Sequence, residues 1–126
     1  MSNPNSIPFR SIIDALQDGL WIADKNHRII YANSAMATIA GVGFDQVAGK
    51  NVLEDFPEET LVYFRTHYQR AVDSLKPEKF ECPVLMPSGR SMWQGGWLIP
   101  QVENEEFSGM ICTVQDITEH KQAEEI

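Results

Sequence analysis

Residues 107–124 read Phe107-Ser108-Gly109-Met110-Ile111-Cys112-Thr113-Val114-Gln115-Asp116-Ile117-Thr118-Glu119-His120-Lys121-Gln122-Ala123-Glu124. The stretch changes character once. Phe107 to Ile117 reads as a strand, rich in β-branched and apolar side chains. From Glu119 onward the residues are helix formers, and the tail to Ile126 reads as the first turns of a helix leaving the domain. Thr118 stands at the change, where a hydroxyl can cap free backbone donors. A strand running straight into an exit helix marks one end of a domain, and the other elements are placed relative to it.

Lys79 to Met86 and Ser91 to Ile99 are two further strands, with turns at Pro87-Ser88-Gly89-Arg90 and at Gln101 to Glu106. Before them, Pro57 to Leu75 predicts the longest helix. Proline and the acids Glu58 and Glu59 suit its first turn. Leu61, Phe64, Tyr68, Val72 and Leu75 mark one face at steps of three and four, and Lys76-Pro77 ends it. Nearer the start, Leu20 to Ala23 and Arg28 to Ala32 are short strands around a polar turn, Asp24 to His27. Asn33 or Ser34 caps a small helix from Ala35 to Ala40, stopped by Gly41. Phe44 to Ala48 and Val52 to Phe56 read as two more short helical pieces. Helix, two strands, a helical cluster and three strands make an α+β domain with one five-stranded sheet, not an alternating β-α-β one.

The 126 residues allow one domain. A hydrophobic share of 43% argues for a folded core. The net charge of −8 and the scattered Lys and Arg residues exclude a basic stripe for nucleic acid. No secretory leader or bilayer-length apolar run is evident, so the expected location is cytoplasmic, without membrane contact by this domain. The two cysteines, Cys82 and Cys112, are expected to be reduced and buried. Residues 1–5 read as a flexible lead and 6–18 as a flanking amphipathic helix. Its stripe of Phe9, Ile12, Ile13 and Leu16 covers either the domain's own sheet or the same helix of a second copy, giving a homodimer.

Several segments, in order, resemble the PAS family together with its C-terminal PAC portion. Asp18 to Asp24 with Arg28 to Met36 resembles the family's opening hairpin and Asn-capped helix. Phe44 to Gly49 resembles its aromatic-to-Gly short helix. Ser88-Gly89-Arg90-Ser91-Met92-Trp93 resembles its Asp-Gly…Trp turn, with Ser in place of Asp. Asp116-Ile117-Thr118-Glu119 is similar to its Asp-Ile-Thr signature. The resemblance places the domain at 19–118 and the exit helix at 119–126. It implies an antiparallel sheet of order 2-1-5-4-3, with helices over one face and a pocket between the sheet and the long helix. It also implies a sensory input module, relaying ligand or partner binding to an output domain in cis, a histidine kinase or a diguanylate cyclase.

The expected pocket residues are Leu61, Phe64, Tyr68 and Val72, with Gly95 and Gly96 marking close approach of a ligand; the alternative is a closed core with a strand bulge. Asp116 and Thr118, with Arg90 as a possible partner of Asp116, are the expected couplers to the exit helix, and the alternative is a plain helix cap. Some PAS domains hold haem through a helical His, which makes His67 the candidate, although it lies on the flank of the apolar stripe. The flavin-adduct branch has its reactive Cys where this chain reads Gly49 to Glu54, without one. Non-covalent flavin beside Trp93 or Trp97 has no motif behind it. No metal-ligand spacing, nucleophile elbow or phosphate loop is visible, so no catalysis is expected.

Overall fold

The computed structural model describes residues 17–86 and 89–124. The stripe of Phe9, Ile12, Ile13 and Leu16 lies outside the described residues. Five strands are present: β1 (Gly19–Asp24), β2 (Ile29–Ala32), β3 (Glu78–Leu85), β4 (Ser91–Glu103) and β5 (Glu106–Asp116). They form one antiparallel sheet in the order β2-β1-β5-β4-β3. Helices α1 (Ser34–Ala40), α2 (Phe44–Val47) and α3 (Glu58–Ser74) lie between the second and third strands, and α4 (Thr118–Glu124) follows the last.

Strand period dictates which residues make the core. Met110, Cys112 and Val114 alternate onto the inner face of β5, and all three are fully buried. Leu98 on β4, Phe80 and Cys82 on β3 and Ala23 on β1 share that face and the same core. Helix α3 covers it with Leu61, Phe64, Tyr68 and Ala71. Each of the larger apolar side chains, such as Leu61, Phe64 and Leu98, contributes about 1.5–3 kcal/mol by leaving water. The buried face follows steps of three and four from Leu61, so Ala71 rather than Val72 closes it. Leu75 does not extend the stripe; it caps the helix with a left-handed backbone, φ 57°.

The chain departs from expectation in two places. Val52 to Phe56 is not helical. Asn51 Oδ1 accepts from Leu53 N at 2.8 Å and Asp55 Oδ2 accepts from Asn51 N at 2.8 Å, closing a single turn that Pro57 keeps from continuing as a helix. Strand β4 also runs further than expected, to Glu103, and β5 starts at Glu106. The loop between them is only Asn104-Glu105, both at positive φ (53° and 65°), the backbone of a tight two-residue hairpin. Pro100 is tolerated within β4 because β3 begins opposite Leu98, leaving β4 an edge at that point.

One buried polar side chain joins the sheet to the helical cluster. Asn33 Oδ1 accepts from Leu20 N (2.9 Å) and from Met36 N (2.9 Å), and Asn33 Nδ2 donates to Asp18 O (3.1 Å). It therefore caps α1 and at the same time holds the start of β1. Asn33→Ala removes the cap and strands the buried Leu20 N–H, for an expected loss of about 2–4 kcal/mol. Urea unfolding should show a lower midpoint at unchanged slope; an unchanged midpoint would mean that these bonds contribute nothing net.

Candidate ligand cavity and exit-helix junction

Between α3, the short helices and the inner face of the sheet lies a cavity of about 190 Å³. Trp21 from β1, Met36 from α1, Leu61 and Phe64 from α3, Cys82 and Val84 from β3 and Gln94 from β4 are among the residues of its wall. Leu61 and Phe64 thus stand where the sequence places them. Tyr68, Val72, Gly95 and Gly96 do not line it. Trp21, Met36 and Gln94 were not legible as lining residues, because which side of a strand faces a void depends on the register of its neighbours.

The wall is apolar apart from Thr60, Gln94, the Cys82 thiol and the indole N–H of Trp21, and no charged side chain is part of it. Thr60 Oγ1 is already engaged, accepting from Leu85 N at 2.9 Å. Burial pushes the Cys82 thiol up to about 11, so it is a neutral thiol and not an activated nucleophile. Cys112 is likewise free, buried and held protonated.

The two glycines of β4 have a structural cause. A Cβ on Gly96 would lie against the backbone oxygen of Thr113. A Cβ on Gly95 would lie 3.0 Å from Ile117 Cδ1. The close approaches are therefore to β5 and to the chain entering α4.

Tyr68 is wholly buried and forms a pair that the sequence did not suggest. Its hydroxyl is 2.9 Å from His27 Nδ1, and the two rings meet edge-on at 5.3 Å. His27 also packs against Phe107. His27 reaches this position from the β1–β2 turn through a left-handed backbone, φ 67°. Burial lowers the His27 pKa, partly offset by Asp24, and burial raises that of Tyr68.

His67 stands apart from the cavity wall. Its ring packs near Phe80, and its Nδ1 is 3.8 Å from Glu78 Oε1, which Arg70 also approaches at 3.6 Å. No histidine lines the cavity, so the residues present do not supply the histidine ligand that a haem would need there. Among the described residues no cluster of His, Cys, Asp or Glu is placed to hold a metal ion.

At the other end of β4 the sheet meets α4. Trp93 O accepts from Ile117 N at 2.9 Å. Trp93 N donates to Thr118 Oγ1 at 3.0 Å, so a side-chain hydroxyl extends the β4–β5 ladder beyond its last strand pair, Gln94 with Asp116. The Thr118 hydroxyl in turn donates to Asp116 Oδ1 at 2.6 Å, and Thr118 N donates to the same oxygen at 3.0 Å. These bonds hold the Asp116 carboxyl below the usual range, with a smaller contribution from the charge of Arg90. Lys121, one turn on, lies 2.6 Å from Glu81 Oε1 and 5.1 Å from the centre of the Trp93 ring. The helix start is thus clamped to β4 and latched to β3.

The geometry is that of a sheet-and-helix sensory domain, and the comparisons agree. The PAS fold family model matches residues 8–117, so the chain belongs to the PAS family, whose domains are sensory modules without catalysis of their own. The chain is 26% identical to sporulation kinase C of Bacillus subtilis over 117 residues, which is 90% of this chain and 27% of the kinase. It therefore spans about a quarter of that relative's length. The PAS domain of a Colwellia psychrerythraea protein superposes with a TM-score of 0.76 at 22% identity, covering 86% of this chain and 93% of that one. A PAS domain from a two-component sensor histidine kinase gives 0.67 at 17% identity, covering 85% and 91%. Among the described residues no helix is long and apolar enough to cross a membrane.

The junction and the buried pair each make a prediction. Thr118→Val keeps the shape but leaves Trp93 N–H without its acceptor. An expected loss of about 1–3 kcal/mol should come with faster hydrogen exchange across residues 118–124; exchange equal to wild type would show that the clamp does not hold the helix. The second concerns pH. A lowered His27 value means the unfolded chain takes up the proton more readily, so its stability contribution is present above pH 6.5 and is lost as pH falls through the folded value. The raised Tyr68, Cys82 and Cys112 values act in the opposite sense, present below their ordinary values and lost as pH rises through the folded ones. Urea titrations across pH should show His27→Gln flattening the limb that falls away below pH 6.5. Tyr68→Phe should flatten part of the alkaline limb.

Proposed function

We propose that this PAS domain is a ligand-responsive input module, in which occupancy of the apolar cavity alters how β4 and β5 hold the start of α4. The observation that carries the reading is positional. Gln94 lines the cavity and Trp93, the next residue of the same strand, is the one bonded to Ile117 and Thr118. A shift of β4 by a fraction of an ångström on filling the cavity changes the Trp93–Thr118 bond, because hydrogen bonds weaken steeply with distance and angle. Asp116 and Thr118 are then the couplers, and Arg90 adds charge to Asp116. The output is a histidine kinase in cis, on the ground that the curated relative is a kinase of which this chain matches a part; a diguanylate cyclase is the rival output.

The test uses an apolar probe and a filled cavity. Saturation with toluene should change hydrogen exchange at residues 117–121 by severalfold. Val84→Phe occupies the void with side chain, and exchange in that variant should no longer respond to toluene. Toluene that binds the wild type while leaving 117–121 unchanged would sink the relay and leave a passive cavity.

A further inference from the structure

Among the described residues the buried polar side chains are Asn33 and Gln94. Asn33 is spent on three backbone groups. Gln94 is not: its carboxamide makes one hydrogen bond, a long one of 3.7 Å from Nε2 to the thioether of Met92. A thioether is a weak acceptor, and a primary amide offers two donors and an oxygen with two lone pairs. Among the described residues the Gln94 oxygen has no protein partner, and it is left open to what fills the cavity, water or a ligand.

We propose that the cavity takes a small uncharged molecule bearing one amide-like edge, and that Gln94 is the residue that reads this edge. The inference rests on the cavity being a ligand site, as argued above. Three properties of the wall set the class. Its volume, about 190 Å³, exceeds only modestly the roughly 150 Å³ of a void known to hold benzene, so one ring with a small substituent is the scale. No charged side chain lines it, so a carboxylate or ammonium group would be buried without a counter-charge. Thr60 is already bonded to the backbone of Leu85, which leaves Gln94 as the side chain that presents a donor and an acceptor side by side. Another amide edge, in a carboxamide or a lactam, presents the complementary pair. A site built this way discriminates more strongly against a ligand that lacks the polar edge than against one that varies by a methyl group.

Benzamide, toluene and benzoate separate these requirements, titrated at neutral pH into the isotopically labelled chain and followed by amide spectra. Benzamide should bind about tenfold or more tightly than toluene and shift the Gln94 side-chain NH₂ resonances, and benzoate should not bind. Gln94→Met should bring benzamide to the level of toluene while leaving toluene unchanged. If that variant does not fold, the wild-type affinity ratio and the Gln94 side-chain shift decide alone. Equal binding of benzamide and toluene without a Gln94 shift overturns the amide edge but leaves the cavity as a ligand site. Benzoate binding as well as benzamide overturns the neutral class. Failure of all three to bind overturns the cavity reading, and this inference with it.

Discussion

The hydroxyl of Thr118 accepts from Trp93 N and donates to Asp116, and the ends of two strands and the start of a helix depend on that one group. Beyond the Gln94–Asp116 pair one backbone bond remains, from Ile117 N to Trp93 O, and Trp93 N has no backbone acceptor, so the ladder would fray there. Thr118 supplies the missing acceptor from a side chain. The same Asp116 oxygen that receives its proton also receives its backbone N–H, which makes the carboxylate the cap of α4. Latching of Lys121 to Glu81 over the Trp93 ring then fixes the direction in which α4 leaves. These latter contacts are exposed and individually weak. On the proposed reading, the clamp is the contact through which a change in β4 reaches the helix.

Much of this frame was legible because it follows from local chemistry. The strand-to-helix change at Thr118 and the Asn33 cap both show as residue types at fixed offsets. So does the face of α3, since Leu61, Phe64 and Tyr68 recur at helical spacing. The errors share a cause, which is that side chains or neighbouring strands overrode local pattern. Asn51 and Asp55 close a segment that looks helical into a single turn before Pro57. Asn104-Glu105 turns a hairpin that looked like a six-residue loop, because two positive φ values are possible for Asn and strained for Glu, and the long strand pairing holds them. Gly95 and Gly96 look like a ligand approach, but the atoms they make room for belong to Ile117 and Thr113.

The cavity was the least legible part. The resemblance implies a pocket but not its lining, and of the residues named for it only Leu61 and Phe64 line it. Tyr68 illustrates why. Its helical position points it at the core, yet what it meets there is His27, delivered by a turn 41 residues earlier through a left-handed backbone. Periodicity gives no sign of such a pair. Gln94 is the opposite case, a polar residue in an otherwise apolar alternation. Only the register with Cys82 on one side and Asp116 on the other shows that it faces the void beside the clamp.

Magnitudes bear on whether such an arrangement can switch. A ligand moves a conformational equilibrium only by the difference in its affinity for the two states. One or two neutral hydrogen bonds to Gln94, net of desolvation, amount to about 1–3 kcal/mol, roughly a tenfold to hundredfold difference. The bond from Trp93 to Thr118 is of the same kind and the same order. On the proposed reading, then, a single small occupant is matched in energy to the clamp it must disturb, whereas the apolar contacts around it, each shared by both states, add affinity without adding response. A tighter clamp would make the domain deaf to so small a ligand, and a looser one would leave α4 frayed in its absence. The adjacency of Gln94 and Trp93 on β4 puts the two comparable terms one residue apart, on opposite faces of one strand.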